Sequence, residues 1–174
     1  MDRNRQWISL AGFIAICLLT GALGGWVTSQ SVIEWYPTLN KPAWNPPAWV
    51  FAPVWTTLYV MMAVAAWLVW KETPRGSHLR PALVLFFVQL ALNCLWSFLF
   101  FGARSPGWAF VDIIVLLAAL AATTTVFFKH SRLAAAPTQL YLAWDSLAPL
   151  LALALPIGAE AAGTPGLCTP RTDR

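Results

Sequence analysis

Five long apolar segments dominate the sequence, and they constrain its fold more than any other feature. They cover residues 7–27, 48–70, 81–101, 108–128 and 133–157. Because a helix rises about 1.5 Å per residue, about 20 apolar residues cross a hydrocarbon core of about 30 Å. A membrane β-barrel would instead need segments of about ten residues with strict alternation of apolar and polar positions. The pattern predicts an all-α polytopic membrane protein, a bundle of five transmembrane helices.

The composition excludes a soluble domain. Of the 174 residues, 59% are hydrophobic, 10% are charged and 11 are tryptophan. Soluble domains carry roughly 25% charged residues. Five spans use roughly 100 residues, which leaves no room for a second folded unit. We therefore expect one membrane domain over residues 1–174, with an irregular tail at 158–174.

The charged residues indicate topology and not nucleic-acid binding. The net charge is +4, but the basic residues lie thinly spread at the ends of the apolar segments. The positive-inside rule then places the N-terminus in the cytoplasm and the loop at 28–47 outside. We expect a multi-pass integral membrane protein, in the cell membrane if the host is bacterial, with an outer membrane left open. The three cysteines form no disulfide framework, since Cys17 and Cys94 lie in apolar segments and Cys168 in the tail.

The first loop, residues 28–47, is long, stiff and aromatic. It holds four prolines together with Trp35, Tyr36 and Trp44. Each proline fixes its own φ and pushes the preceding residue toward extended geometry, so the segment is pre-shaped. Two interpretations stand: the aromatic residues form an interfacial belt, or the loop forms a lid over a site in the bundle.

Several polar and aromatic residues are predicted at similar depths below this loop. Trp55 lies eight residues into the second segment and Asn93 eight residues before the outer end of the third, which is about 12 Å deep in both cases. Asp112 lies about 6 Å deep and Trp144 near the midplane of the last segment. These positions predict a site in the outer half of the bundle.

The third segment carries a polar stripe on one helical face. It consists of Gln89, Asn93 and Ser97, with Trp96 beside them. Intramembrane amides avoid lipid and seek either a ligand or a neighbouring helix, and both interpretations stand. Trp55 and Tyr59 are likewise spaced i, i+4, which is also typical of core packing. For Asp112 we expect a structural pairing with Lys41 or Arg104.

Three motifs resemble one family. They are WYPTLNKPAWNPP at 35–47, VWTTLY at 54–59, and Asn93 followed by Trp96-Ser97 and Phe100-Phe101. Together they resemble the TspO/MBR family, the tryptophan-rich sensory proteins related to the mitochondrial translocator protein (peripheral benzodiazepine receptor). The resemblance implies a dimeric receptor that binds porphyrins (tetrapyrroles), sterol-like lipids and isoquinoline-carboxamide ligands in a cavity under the first loop, with a role in tetrapyrrole and stress regulation. Light-dependent porphyrin breakdown and tetrapyrrole or sterol transport are the alternatives.

The resemblance also implies roles for single residues. Tyr36 resembles the loop tyrosine over the ligand, Trp55 the pocket tryptophan of the second helix, and Asn93 the asparagine that reaches the ligand. Tyr141 and Trp144 resemble the aromatic pair of the last helix. The full expected ligand site is Tyr36, Trp44, Trp55, Tyr59, Asn93, Trp96, Trp144 and Ala148. We expect no metal, no cofactor beyond porphyrin as ligand, and no catalytic residue unless Trp55 and Trp144 act photochemically.

The chain departs from the family pattern after Trp144. The family continues with an apolar helix, whereas here Asp145 follows directly and Pro149 and Pro156 interrupt the segment. Prolines and an unpaired carboxylate are costly in a membrane span. The family's asparagine position is Ala152.

Overall fold

The helices of the computed structural model follow the apolar segments of the sequence closely. The structure describes residues 2–39, 48–73 and 79–146. Its helices are α1 (Arg3–Ser31), α2 (Ala48–Glu72), α3 (Leu79–Ser97), α4 (Pro106–His130) and α5 (Arg132–Asp145). A 3-10 turn at Tyr36–Thr38 follows α1, and a π-helical turn at Phe98–Gly102 ends α3. The described ranges contain no strand, so the all-α prediction is confirmed.

Four helices are long and apolar enough to cross a membrane. They are α1, α2, α3 with its π-helical turn, and α4. The fifth, α5, is described over 14 residues. The rest of the expected last segment, 146–157, falls mostly outside the described residues, as does the expected tail at 158–174. The sequence marks both ends of α4. The helix begins with Pro106 and ends on Lys129 and His130, which are residue types that the respective helix termini favour.

The short connections at 103–105 and at 131 make α4 antiparallel to both α3 and α5. The α3 helix packs along α4, α1 packs along α2, and α5 packs against both α4 and α2. Between α4 and α5 there is only Ser131, whose side chain accepts a hydrogen bond from the Ala134 backbone N–H at 3.3 Å. The core between the helices is filled by large buried side chains, including Met62, Phe86, Leu116 and Phe127.

Two glycines allow α1 to approach its neighbours closely. A Cβ atom on Gly21 would lie 2.5 Å from Cε2 of Tyr59, and one on Gly24 would lie 2.9 Å from Oγ of Ser97. A Cβ on Gly25 would meet none of the described residues within 4 Å. The small residues at 21 and 24 are therefore the ones that set the distance from α1 to α2 and α3.

The end of α3 contains one wider turn. The Ala103 N–H donates to the carbonyl of Phe98 at 2.7 Å, a π-type bond, and Arg104 then takes a φ of 50°. Such turns insert a residue into the helix and often occur at functional sites. Here the turn brings Phe100 and Phe101 into the bundle, where both are buried.

Candidate functional site

A buried amide joins three helices in the middle of the bundle. Tyr59 of α2 donates its hydroxyl hydrogen to Oδ1 of Asn93 on α3. The Nδ2 group of Asn93 donates in turn to the hydroxyl oxygen of Tyr141 on α5 at 2.6 Å. All three side chains are at most 6% exposed. We call these three residues the amide network.

Tryptophan side chains lie beside this network. The ring centroid of Trp55 is 6.0 Å from that of Tyr59 and 6.2 Å from that of Tyr141, with the latter pair edge to face. Both Trp55 and Trp144 are partly buried and pack against the core cluster that contains the two tyrosines. Because Trp55 and Tyr59 are one turn apart on α2, as Tyr141 and Trp144 are on α5, each helix presents one aromatic face to the network.

A second aromatic group lies at the C-terminal end of α3. Trp96 stacks on Phe100 with centroids 5.1 Å apart and planes at 9°. The ring centroid of Tyr36 lies 5.9 Å from that of Phe101, and the ring centroid of Trp35 lies 5.4 Å from that of Phe100. We call these residues, Trp35, Tyr36, Trp96, Phe100 and Phe101, the loop platform.

One hydrogen bond fixes the start of the first loop to this platform. Oγ of Ser31, the last residue of α1, donates to the backbone carbonyl of Phe101 at 2.8 Å, and both residues are buried. The loop therefore begins on the π-helical turn of α3. Asn93 lies about one turn below Trp96 on the same helix, so α3 carries both the amide network and the loop platform.

The expected site residues thus fall into two groups. Tyr59 contacts both Trp55 and Asn93, and Trp144 packs against the same cluster. Tyr36 and Trp96 belong to the loop platform. The positions of Trp44 and Ala148 lie outside the described residues. Asn93 does make the interhelical hydrogen bonds that one interpretation of the polar stripe predicted, and whether it also meets a ligand stays a prediction.

The rest of the polar stripe also faces the bundle. Gln89 is buried, its Nε2 lies 3.6 Å from the sulfur of Met62, and its Oε1 has no hydrogen-bond partner among the described residues. Ser97 faces Gly24 of α1. The polar side chains of the stripe therefore face neighbouring helices and not lipid, as expected for polar groups in a membrane span.

The pairing expected between Asp112 and Arg104 is absent. Within the described part of the chain, Oδ2 of Asp112 is buried and has no hydrogen-bond partner, while the side chain of Arg104 is exposed in the turn before α4. The positive φ of Arg104 places it outside the helical register, so its side chain points away from the bundle. The alternative partner, Lys41, lies outside the described residues.

Four contributors were not in the expected ligand site, although the resemblance had named Tyr141 as one of an aromatic pair. Tyr141 completes the amide network, and Trp35, Phe100 and Phe101 belong to the loop platform. The signal for Tyr141 was its position one turn before Trp144. The inward position of the two phenylalanines depends on the π-helical turn, which no spacing in the sequence indicates.

Long apolar helices around a buried amide and aromatic site define a helical integral membrane protein with an internal polar centre. The sequence profile of the TspO/MBR family matches residues 13–157. The chain belongs to the TspO/MBR family, as the sequence motifs predicted.

Curated relatives agree with this assignment. The chain is 44% identical over 145 residues to a translocator protein from Homo sapiens, covering 79% of this chain and 82% of that protein. It is 39% identical over 148 residues to the tryptophan-rich protein TspO of Chlorobaculum tepidum, covering 85% and 94%. A tryptophan-rich sensory protein from Cereibacter sphaeroides is 36% identical over 145 residues, covering 83% and 87%.

Proposed function

We propose that the protein is a membrane receptor for flat hydrophobic ligands, which bind against Trp55 and the amide network beneath the first loop. Porphyrins are the first candidates, followed by sterol-like lipids and isoquinoline carboxamides, and the output is tetrapyrrole or stress regulation. The observation that carries the proposal is the position of Trp55, partly buried and against both tyrosines of the network. The sensory name of one relative supports the same role.

The chemistry of the site suits such a ligand. Stacking on an aromatic side chain contributes about 0.5–1.5 kcal/mol per pair beyond the burial of area, and Trp55 and Trp144 supply two such side chains. An amide has two donor hydrogens and an acceptor oxygen with two lone pairs. The amide of Asn93 uses one donor and accepts one bond in the described residues, so it keeps capacity to orient a polar group of the ligand.

The loop platform supplies the closure of such a site. Tyr36 lies on Phe101 at the start of the first loop, and that loop is anchored by the hydrogen bond from Ser31. In this proposal the first loop, which is anchored at its start, covers a ligand that lies beneath it. Trp96, already stacked on Phe100, acts in this proposal through the loop and not by stacking on the ligand.

Ligand titration tests this function. Purified protein in nanodiscs is titrated with protoporphyrin, a sterol and an isoquinoline carboxamide, and tryptophan quenching or calorimetry reports binding. We expect at least about tenfold weaker protoporphyrin binding in Asn93→Ala, since one well-made contact of about 1.4 kcal/mol corresponds to a factor of ten. Trp108→Phe is the matched control, because Trp108 is 68% exposed on the surface of the bundle. Unchanged affinity in both Trp55→Phe and Asn93→Ala would exclude this site.

A second candidate function is light-dependent porphyrin oxidation. It is favoured by the contact of the partly buried Trp55 indole with two tyrosine rings. In this function dissolved dioxygen is the oxidant that takes electrons from the photoexcited porphyrin, and the Trp55 indole mediates single-electron transfer and is restored in each turnover. Illumination of the porphyrin complex separates the two functions. An enzyme would lose product formation in Trp55→Phe while retaining porphyrin binding, whereas a receptor would form no product in either protein.

Homodimer formation stays a prediction. The exposed surface of α1 includes Ile8, Leu19 and Leu23, and a Cβ on Gly25 would meet none of the described residues within 4 Å. This surface is compatible with a second copy of the chain and equally with lipid. Cross-linking of a cysteine introduced at Gly25 in native membranes separates the two.

A further inference from the structure

Three contacts bring several helix termini together at one end of the bundle. The indole Nε1 of Trp67, near the end of α2, donates to the carbonyl of Gln6 at the start of α1 at 3.1 Å. The ring centroid of Phe86, in the first half of α3, lies 6.2 Å from that of Phe13 in the first half of α1. It also lies 6.3 Å from the ring centroid of Phe127, near the end of α4, and α5 follows α4 directly. The starts of α1, α3 and α5 and the ends of α2 and α4 therefore share one end of the bundle, which we call the basic end.

Positive charge is concentrated at the basic end. Among the described residues it holds six basic side chains, all exposed, and two acidic ones, Asp2 and Glu72. The basic residues are Arg3, Arg5, Lys71, Arg80, Lys129 and Arg132. At the opposite end, the described part of the chain has one residue of each sign, Arg104 and Glu34. The two ends of the bundle therefore differ strongly in their attraction for an anionic surface.

Two cations of the basic end are held over aromatic rings. Nζ of Lys71 lies 4.9 Å from the centroid of the Trp67 ring, one turn earlier on α2. Cζ of Arg132 lies 5.9 Å from the centroid of the Phe128 ring, across the connection from α4 to α5. A ring face attracts a cation without neutralising its charge. Both side chains thus keep their positive charge for an anion, in positions that the rings already restrict.

Large apolar side chains are exposed next to these cations. Phe128 and Leu133 lie on either side of Arg132 along the chain, and Trp7 and Ile8 lie in the first turns of α1; all four are more than half exposed. An acidic protein segment would match the charge of the basic end alone. An anionic phospholipid matches both properties, because its phosphate meets the cations while its acyl chains cover the apolar side chains.

We propose that the basic end is a docking surface for anionic phospholipids, whose phosphate groups are held by Lys71 and Arg132. These side chains donate charge-assisted hydrogen bonds to the phosphate oxygens. The positive-inside rule concerns the orientation of a chain in the membrane, whereas this proposal concerns binding of one class of lipid. Lys71 lies sixteen residues after Trp55 on α2, which is about 24 Å along the helix axis. The surface is therefore separate from the proposed ligand site, and its test does not depend on that site.

Native mass spectrometry tests this surface. The protein in mild detergent is titrated with phosphatidylglycerol or phosphatidylcholine of identical acyl chains, and the populations of the protein–lipid complexes give the dissociation constants. The wild type is compared with Lys71→Gln, Arg132→Gln and the double variant, and circular dichroism checks that each is folded. Arg104→Gln is the matched control, because Arg104 is exposed at the opposite end. Glycerol phosphate, an anion without acyl chains, serves as the competitor.

We expect the wild type and Arg104→Gln to bind phosphatidylglycerol at least about fivefold tighter than phosphatidylcholine, the factor that one cation near an anionic headgroup provides. This preference should be smaller in each single variant and smallest in the double variant, with the affinity for phosphatidylcholine unchanged. Glycerol phosphate at the concentration of the lipid should not displace phosphatidylglycerol. Equal affinities for the two lipids in the wild type would overturn the proposal. So would a loss in Arg104→Gln as large as that in the double variant, or displacement by glycerol phosphate.

Discussion

Asn93 donates a hydrogen bond of 2.6 Å to the hydroxyl of Tyr141, and this contact joins the third helix to the fifth across the bundle. The other end of the same amide accepts from Tyr59 on the second helix. One side chain therefore holds three helices together at the depth where Trp55 lies. Because each partner is buried, a change to any of them alters both the stability of the bundle and the proposed ligand site.

Removal of the Tyr141 hydroxyl tests whether its hydrogen bond to Asn93 stabilises the bundle. Tyr141→Phe leaves the Nδ2 group of Asn93 without that acceptor, and an unsatisfied buried polar group costs about 1–3 kcal/mol. We expect the free energy of unfolding in mixed micelles to fall by that amount. In a double-mutant cycle, Tyr141→Phe and Asn93→Ala should show a coupling free energy of about 0.5–3 kcal/mol. Additive effects would mean that the hydrogen bond contributes nothing.

Gly21 should tolerate no side chain, whereas Gly25 should. Gly21→Ala places a Cβ 2.5 Å from the ring of Tyr59, so either α1 moves outward or the tyrosine leaves its bond to Asn93. Overpacking of this kind costs about 1–3 kcal/mol. Gly25→Ala, four residues later on the same helix, meets open space and is the control. Equal melting temperatures for the two variants would show that α1 does not pack as described.

Ser31 should control the mobility of the start of the first loop. Ser31→Ala removes the donor to the Phe101 carbonyl, a loss of about 0.5–1.5 kcal/mol. Amide hydrogen exchange over residues 32–39 should become faster. Ser29→Ala is matched to it, since Oγ of Ser29 bonds within its own helix to the carbonyl of Trp26. The anchoring role would be refuted by equal exchange in both variants.

The sequence predicted the helices well because apolar length is a strong local signal. The first segment, expected at 7–27, forms a helix over Arg3–Ser31, since polar residues at both ends continue the helix beyond the apolar core. The third, expected at 81–101, ends in the π-helical turn Phe98–Gly102. That turn depends on packing against α1 and the loop, which a single segment does not reveal.

The contacts between helices were harder to predict. The depths predicted from the sequence placed Trp55 and Asn93 at the same level of the bundle, and in the structure Tyr59 contacts both of them. The expected ligand site grouped Trp96 with them, but the structure places Trp96 one turn further along α3, stacked on Phe100, because the contacts of a side chain depend on the partner helices. The pairing expected for Asp112 with Arg104 failed for the same reason: the turn that carries Arg104 points its side chain outward.

Photo-cross-linking tests the central claim, that a ligand binds at Trp55 and the amide network, most directly. An isoquinoline carboxamide that carries a diazirine is bound in nanodiscs and irradiated, and the labelled residues are identified by mass spectrometry. The account predicts saturable labelling of the peptides that carry Trp55 and Tyr141, competed by protoporphyrin and reduced in Asn93→Ala. Labelling confined to the exposed Trp7, Trp49 and Trp108, without competition, would contradict it.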